Sequence, residues 1–270
     1  MKRIQFLGFI LAILICVPAW ASDILIIGIQ DYNRSSIMVV REYQGLTNYL
    51  SKALKHPVRV ETVKTQEEYL KKAHAKRFAF MFGPPSMIIR ASQKSGYQPV
   101  VKIPGLLSAS FMSLASTGIA FPEDMKGKRI GFTDKDSMIT QLAMAQLKSL
   151  KIDPDKYFKS IAYYNDVDGV LSAMKYNLVD IGVANSGLLN VWAGKGYDVN
   201  LILQGKGMPH LTFAVSNDLP ADLKETVTQA LLKAHLDSEG QEYFKYSSFQ
   251  SFEVAKPQDY DELIKFLQIQ

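Results

Sequence analysis

One pattern constrains this chain more than any other, and it occurs twice. Residues 125–140, MKGKRIGFTDKDSMIT, read as a short buried strand over 129–133, a polar turn over 134–136 and a helix starting at Ser137. Residues 23–36, DILIIGIQDYNRSS, repeat the order of apolar strand, polar turn and serine-led helix. A strand whose carboxyl end feeds a capped helix leaves backbone N–H groups facing a crevice. An anionic or polar ligand is stabilised there. Two such units about a hundred residues apart predict two similar lobes facing each other. They point to binding more than to catalysis.

Strand and helix signals alternate between and beyond these units. Residues 24–29 form a near-continuous apolar run, as in a strand buried on both faces. Helical spacing of Val40, Tyr43, Leu46, Leu50 and Leu54 predicts one helix over 37–54. Strands over 58–63, 78–82 and 98–103 alternate with helices over 66–75 and 86–94. The pattern predicts a mostly parallel sheet with helices on both faces. A strand over 111–116 follows, and the series then restarts. Strands are expected over 129–133, 160–164, 179–184 and 200–203, with helices over 138–150, 167–176 and 187–193. A strand over 211–216 and helices over 220–236, 239–246 and 258–267 complete the chain. The fold class is α/β.

The first 21 residues read as a removable leader. Met1-Lys2-Arg3 is a positive start, 4–17 is apolar, and Ala19-Trp20-Ala21 is a cleavage signal, so the mature chain begins at Ser22. The apolar run is too short for a stable spanning helix. Cys16, the sole cysteine, falls inside it, so the mature chain needs no disulfide and offers no thiol chemistry. Removing Lys2 and Arg3 reduces the formal charge from +5 to +3. The basic residues are dispersed, without the basic block and interleaved aromatics of a nucleic-acid binder. His56, His74, His210 and His235 lie far apart without ligand spacing, so no metal is expected. Neither a G-x-S-x-G motif nor a metal signature suggests an enzyme, and no cofactor is implied.

Ligands of open α/β sheets bind beyond the carboxyl ends of the strands. That rule selects 30–33 and 82–86 in the first lobe, and 133–140, 164–166 and 184–187 in the second. If the lobes face each other, these loops line a single cleft.

Several short stretches carry a resemblance. They are Phe82-Gly83-Pro84, Met125-Lys126-Gly127-Lys128-Arg129-Ile130-Gly131-Phe132, Asp136-Ser137, Lys151-Ile152-Asp153-Pro154, Asp180-Ile181-Gly182 and Met208-Pro209. In this order, behind a leader, the chain resembles the phosphate/phosphonate-type (PhnD-like) periplasmic solute-binding proteins of ABC transporters. The resemblance covers nearly all of the mature chain. It implies a type II periplasmic binding protein fold, two α/β lobes with a ligand cleft between them. Lobe one would comprise residues 22–110 plus 212–270, and lobe two 111–211. Crossing strands near 111–116 and 211–216 would join them, the C-terminal helices would return to lobe one, and closure would be a hinge motion. The implied protein is a periplasmic monomer. It binds a small anionic or zwitterionic solute and passes it to an ABC permease. The alternative partner is a membrane sensor, a histidine kinase or cyclase.

The resemblance also marks where the ligand loops differ. The family's Ser-Thr-Ser-Gly stands here as Ser137-Met138-Ile139-Thr140, its Gly-x-His as Tyr163-Tyr164-Asn165, and a tyrosine before the first-lobe glycine as Phe82. Backbone N–H groups of Ile139 and Thr140 remain as anion donors. Ser137 reads as a ligand contact or as an N-cap alone, and Asn165 and Asp166 as cleft residues or caps. Phe82, Gly83 and Pro84 read as strand-end packing or as an apolar wall over a ligand. Tyr32 reaches the cleft or lies on a surface turn. Asn185 and Ser186 are cleft residues or turn formers. Ser86 and His210, the latter before a crossing strand, complete the candidate set.

Overall fold

The computed structural model describes residues 24–31, 35–247 and 249–269. The expected leader, with Cys16 and the cleavage after Ala21, lies outside the described residues, as does Tyr32. The strands are β1 (Leu25–Gln30), β2 (Val58–Val63), β3 (Phe80–Gly83), β4 (Tyr97–Lys102), β5 (Leu106–Leu107), β6 (Ala109–Leu114), β7 (Arg129–Phe132), β8 (Ser160–Tyr163), β9 (Ile181–Asn185), β10 (Val199–Gln204), β11 (Met208–Pro209), β12 (Thr212–Ser216) and β13 (Glu253–Val254). The helices are α1 (Ser36–Glu42), α2 (Gln44–Leu54), α3 (Gln66–His74), α4 (Pro85–Ser95), α5 (Met138–Ser149), α6 (Pro154–Tyr157), α7 (Val167–Lys175), α8 (Leu188–Gly194), α9 (Ala221–Lys233), α10 (Ser238–Phe244) and α11 (Asp261–Leu267).

Two sheets carry these elements. One has the order β13-β4-β12-β3-β1-β2 and the other β10-β6-β9-β7-β8. Apart from β13 the orders are equivalent strand for strand. Four strands of each sheet run the same way, in line with the mostly parallel expectation, and the sheets are made mixed by β12 and β13 in the first and β6 in the second: β12 runs antiparallel to β3 and β4, β13 to β4, and β6 to β9 and β10. The reason is connectivity. After β4 the chain leaves the first sheet and enters the second as β6, and after β10 it returns as β12. Each sheet thus receives one strand from the far side, running against its neighbours. The crossing segments meet in a short antiparallel pair, Leu107 with Met208 and Leu106 with Pro209. That pair lies a few residues before the strands expected at 111–116 and 211–216.

Alternation along the strands builds two apolar layers per sheet. Ile27, Ile29, Phe80, Phe82 and Phe213 pack under α2, α9 and α10, while Met81 and Ala214 face the layer holding Tyr69, Met87 and Ile88. In the second sheet Phe111, Ile130 and Phe132 pack with α5, and Met112, Ala184 and Trp192 with α7 and α8. The α5 layer also takes Ile89 of α4 and Tyr260, Leu263 and Ile269 near the C-terminus. Helix α11 therefore lies between α4 and α5 and touches both, whereas the resemblance implies that the C-terminal helices return to lobe one.

Local signals explain most boundaries. Helix α4 has Pro85 in its first turn and ends on Gly96 at φ +65°. The helix expected over 37–54 breaks at Tyr43 into α1 and α2. Close by, α10 approaches α2 so tightly that a Cβ on Gly45 would lie 2.8 Å from the Tyr243 nitrogen.

Candidate functional site

Helix α5 starts directly beyond β7, and the sequence around its start fixes the local structure. Asp134 Oδ1 accepts from the Asp136 N–H at 2.8 Å, an Asx turn that shapes the loop. Ser137 is the N-cap, with φ −64° and ψ 148°, and its Oγ accepts from the Thr140 N–H at 3.2 Å. Its hydroxyl also lies 2.6 Å from Thr133 Oγ1 and 3.1 Å from Thr140 Oγ1. The Thr140 hydroxyl donates to the Thr133 carbonyl at 3.2 Å. Ser137 donates to Thr140, and Thr133 and Ser137 share a hydrogen bond in which either hydroxyl can donate. The first-turn N–H groups of Met138 and Ile139 have no intrahelical acceptor and point out of the helix end. They carry the positive end of the helix dipole.

Lobe one meets this helix end. Gln66, the first residue of α3, donates from Nε2 to the Asp136 carbonyl at 2.6 Å, and Gln141 Nε2 holds the same carbonyl at 2.9 Å. A groove of about 740 Å³ starts at this contact and runs along α5 to α11. Its lining includes Arg90, Lys135, Lys148, Tyr163 and Phe266. The Tyr163 ring stacks on Phe132 at 5.9 Å between centroids, and burial pushes its phenol up from the ordinary value.

The structure places the sequence-derived candidates as follows. Ser137 and Thr140 come together at the α5 end. The Thr140 N–H, expected to be open to an anion, is occupied by the Ser137 cap. The Met138 side chain is buried in the α5 core layer, so its backbone is what remains at the cleft. Gly83, Pro84 and Ser86 form the β3–α4 turn, Ser86 being fully buried. Phe82 belongs to the core and not to a cleft wall. It is 1% exposed, and its ring meets Tyr43, Phe213, Phe249 and Phe252 at 5.9–6.5 Å. Strand alternation puts it on the same face as Phe80. Asn165 is exposed beyond β8, and the cap of α7 is Asp166, whose Oδ1 accepts from the Gly169 N–H at 2.8 Å. Asn185 ends β9, and the next residue, Ser186, pairs with Ser108 at 3.1 Å between hydroxyls. His210 sits between β11 and β12. Its Nδ1 accepts from the Leu211 N–H at 2.8 Å, and burial holds its pKa below the ordinary value. Thr133, Gln66 and Gln30 were absent from the sequence-derived set. Thr133 and Gln30 lie within the strand-end rule's reach, whereas nothing local singles out Gln66.

Among the described residues no cluster of three or more His, Cys, Asp or Glu could hold a metal, and no helix is long and apolar enough to cross a membrane.

Two sheets of equivalent strand order, exchanging one crossing strand each and facing each other at their carboxyl ends, define the class of two-lobed periplasmic binding proteins. A family model described as ABC transporter, phosphonate, periplasmic substrate-binding protein matches residues 33–260, so the chain belongs to that family. The fold is similar to PhnD1 of Prochlorococcus marinus solved with methylphosphonate, with a TM-score of 0.75 at 13% identity, covering 91% of this chain and 97% of that one. It is similar to a binding protein component of an ABC phosphonate transporter from Pseudomonas aeruginosa, with a TM-score of 0.73 at 13% identity, covering 91% and 85%. It is also similar to a Xanthomonas citri protein solved bound to ATP, with a TM-score of 0.73 at 13% identity, covering 92% and 96%.

Proposed function

We propose that the protein captures a small oxyanion of the phosphonate or phosphate class between its lobes and presents it to an ABC permease, making and breaking no bond. The observation that carries this reading is the start of α5. Two N–H groups and the end of a twelve-residue helix face the cleft beside a preformed hydroxyl cluster. The methylphosphonate in the Prochlorococcus relative supports the ligand class. Lobe one is residues 22–110 with 212–270, and lobe two is 111–211, α11 acting as a shared spine. Gly83, Pro84, Ser86, Ser137, the N–H groups of Met138 and Ile139, Asn165 and Asn185 form the candidate lining. The leader is removed after Ala21, and the mature protein works in the periplasm as a monomer.

A thermal-shift series with methylphosphonate, phosphate, phosphite, sulfonates and amino acids tests this. A ligand that binds the native state alone raises stability by about 2.7 kcal/mol at a hundredfold excess over its Kd. The expected result is a shift with methylphosphonate or phosphate and none with amino acids. A flat response to every oxyanion contradicts the reading.

A further inference from the structure

Gln30 ends β1 where the strand-end rule puts a ligand, yet among the described residues nothing hydrogen-bonds its side chain. Both Gln30 Nε2 and Oε1 are buried from solvent without a hydrogen-bond partner among the described residues. Ile27 and Ile29 point into the layer under α2, so Gln30 points to the other face, where α3 and α4 pack. Ile29 pairs with Phe82, which sets Gln30 beside Gly83 at the start of the turn into α4. Three residues on, Ser86 is 0% exposed, and its Oγ is also without a partner. It occupies the second position of the eleven-residue α4, where side chains lean toward the amino end. Buried polar side chains are almost always paired, and three orphaned atoms beside the ends of two neighbouring strands are costly. Across the cleft, the Gln66–Asp136 bond draws the same corner of lobe one to the α5 end.

We propose that Gln30 and Ser86 are the lobe-one contacts of the ligand, and that they select an oxyanion that keeps a proton. This rests on the functional reading above and names the chemistry within it. An amide offers one donor side and one acceptor side. Its nitrogen and the Ser86 hydroxyl donate to ionised oxygens. Its carbonyl oxygen takes a donor, which a protonated ligand supplies. A hydrogen phosphonate or hydrogen phosphate carries such a P–OH group, whereas a sulfonate or sulfate is fully ionised and leaves Oε1 orphaned. A site built around a hydrogen bond rejects the analogue that lacks it strongly.

The test is calorimetric titration of the mature protein with methylphosphonate and with methanesulfonate, for the unsubstituted chain, Gln30→Met and Ser86→Ala. Methylphosphonate is expected to bind the unsubstituted chain at least about tenfold more tightly than methanesulfonate, and each substitution to weaken it by about tenfold or more. The ligand-free melting temperature of both variants is expected to stay the same or rise, because an orphaned polar group is removed. Affinity for methylphosphonate is expected to fall as pH rises through the ligand's last ionisation. Unchanged affinity in both variants, a lowered ligand-free melting temperature, or equal binding of the two ligands overturns this assignment alone. Failure of the unsubstituted chain to bind either ligand overturns the functional reading and this assignment together.

Discussion

Ser137 does two jobs at one atom. Its Oγ caps α5 through Thr140 and closes the hydroxyl cluster through Thr133. Ser137→Ala is expected to cost about 1 kcal/mol of stability and to weaken oxyanion binding as well, read by denaturant unfolding and by calorimetry. Ser137→Gly is expected to cost only a few tenths of a kcal/mol of stability without restoring affinity. Phe82 is the converse case, a residue near the cleft that belongs to the core. Phe82→Leu is expected to cost about 1–2 kcal/mol and to leave ligand affinity unchanged. Altered specificity in that variant would return Phe82 to the cleft wall. His210 adds a pH dependence. Burial keeps its folded pKa below the ordinary 6.5, so the unfolded chain binds the proton first as pH falls. The contribution of neutral His210 is complete above the unfolded value and is lost as pH drops below it. Thermal unfolding at neutral pH and at about pH 5 is expected to show a smaller drop for His210→Asn than for the unsubstituted protein.

At the scale of elements, the base of lobe two is tied by Arg129. Its guanidinium reaches Asp180 at 2.6 Å and both the carbonyl and Oδ1 of Asn177, joining β7 to the turn before β9. The Arg129 hydrogen bond holds the Asp180 carboxyl below the usual range. That stabilisation is present above the unfolded pKa and lost as pH falls through the depressed folded value. Asp180→Ala is expected to lower the melting temperature at neutral pH, by an amount that shrinks in acid. A pH-independent difference would contradict the ion-pair account. This network explains the Asp180-Ile181-Gly182 stretch of the resemblance. So does Gly182, where a Cβ would lie 2.3 Å from the Met174 sulfur.

The elements show what a chain can and cannot display in its own sequence. The two strand–turn–helix units were legible because apolar runs and serine caps are local signals, and α5 begins one residue after its cap as expected. The antiparallel direction of β6 and β12 was not legible, because direction depends on where the chain re-enters a sheet and not on the residues of the strand. The close approach of α10 to α2 at Gly45 joins positions two hundred residues apart and was not legible either. Ser86 was picked out by its place after a strand end. Gln30 was within reach, but its importance lies in the absence of a partner, which only packing reveals.

The whole molecule is held at three levels between its lobes: the β5–β11 pair at the crossing, α11 between α4 and α5, and the Gln66–Asp136 bond beside the α5 end. The first two do not depend on a ligand loop. The third spans the cleft and can be broken without disturbing either core. Gln66→Ala is expected to leave the melting temperature of the ligand-free protein nearly unchanged. It is expected to weaken oxyanion binding several-fold, mainly through faster release, measured by stopped-flow fluorescence. An unchanged release rate would remove this contact from the closing motion.

The central claim is that an oxyanion binds between the lobes against the first turn of α5. A crystal structure of the mature protein grown with methylphosphonate tests it most directly. The predicted result is a phosphonate oxygen within hydrogen-bond distance of the Met138 and Ile139 N–H groups, with lobe one closed over it. A phosphonate seated in the groove along α5 toward α11, or a cleft that stays free of it at saturating ligand, would contradict the account.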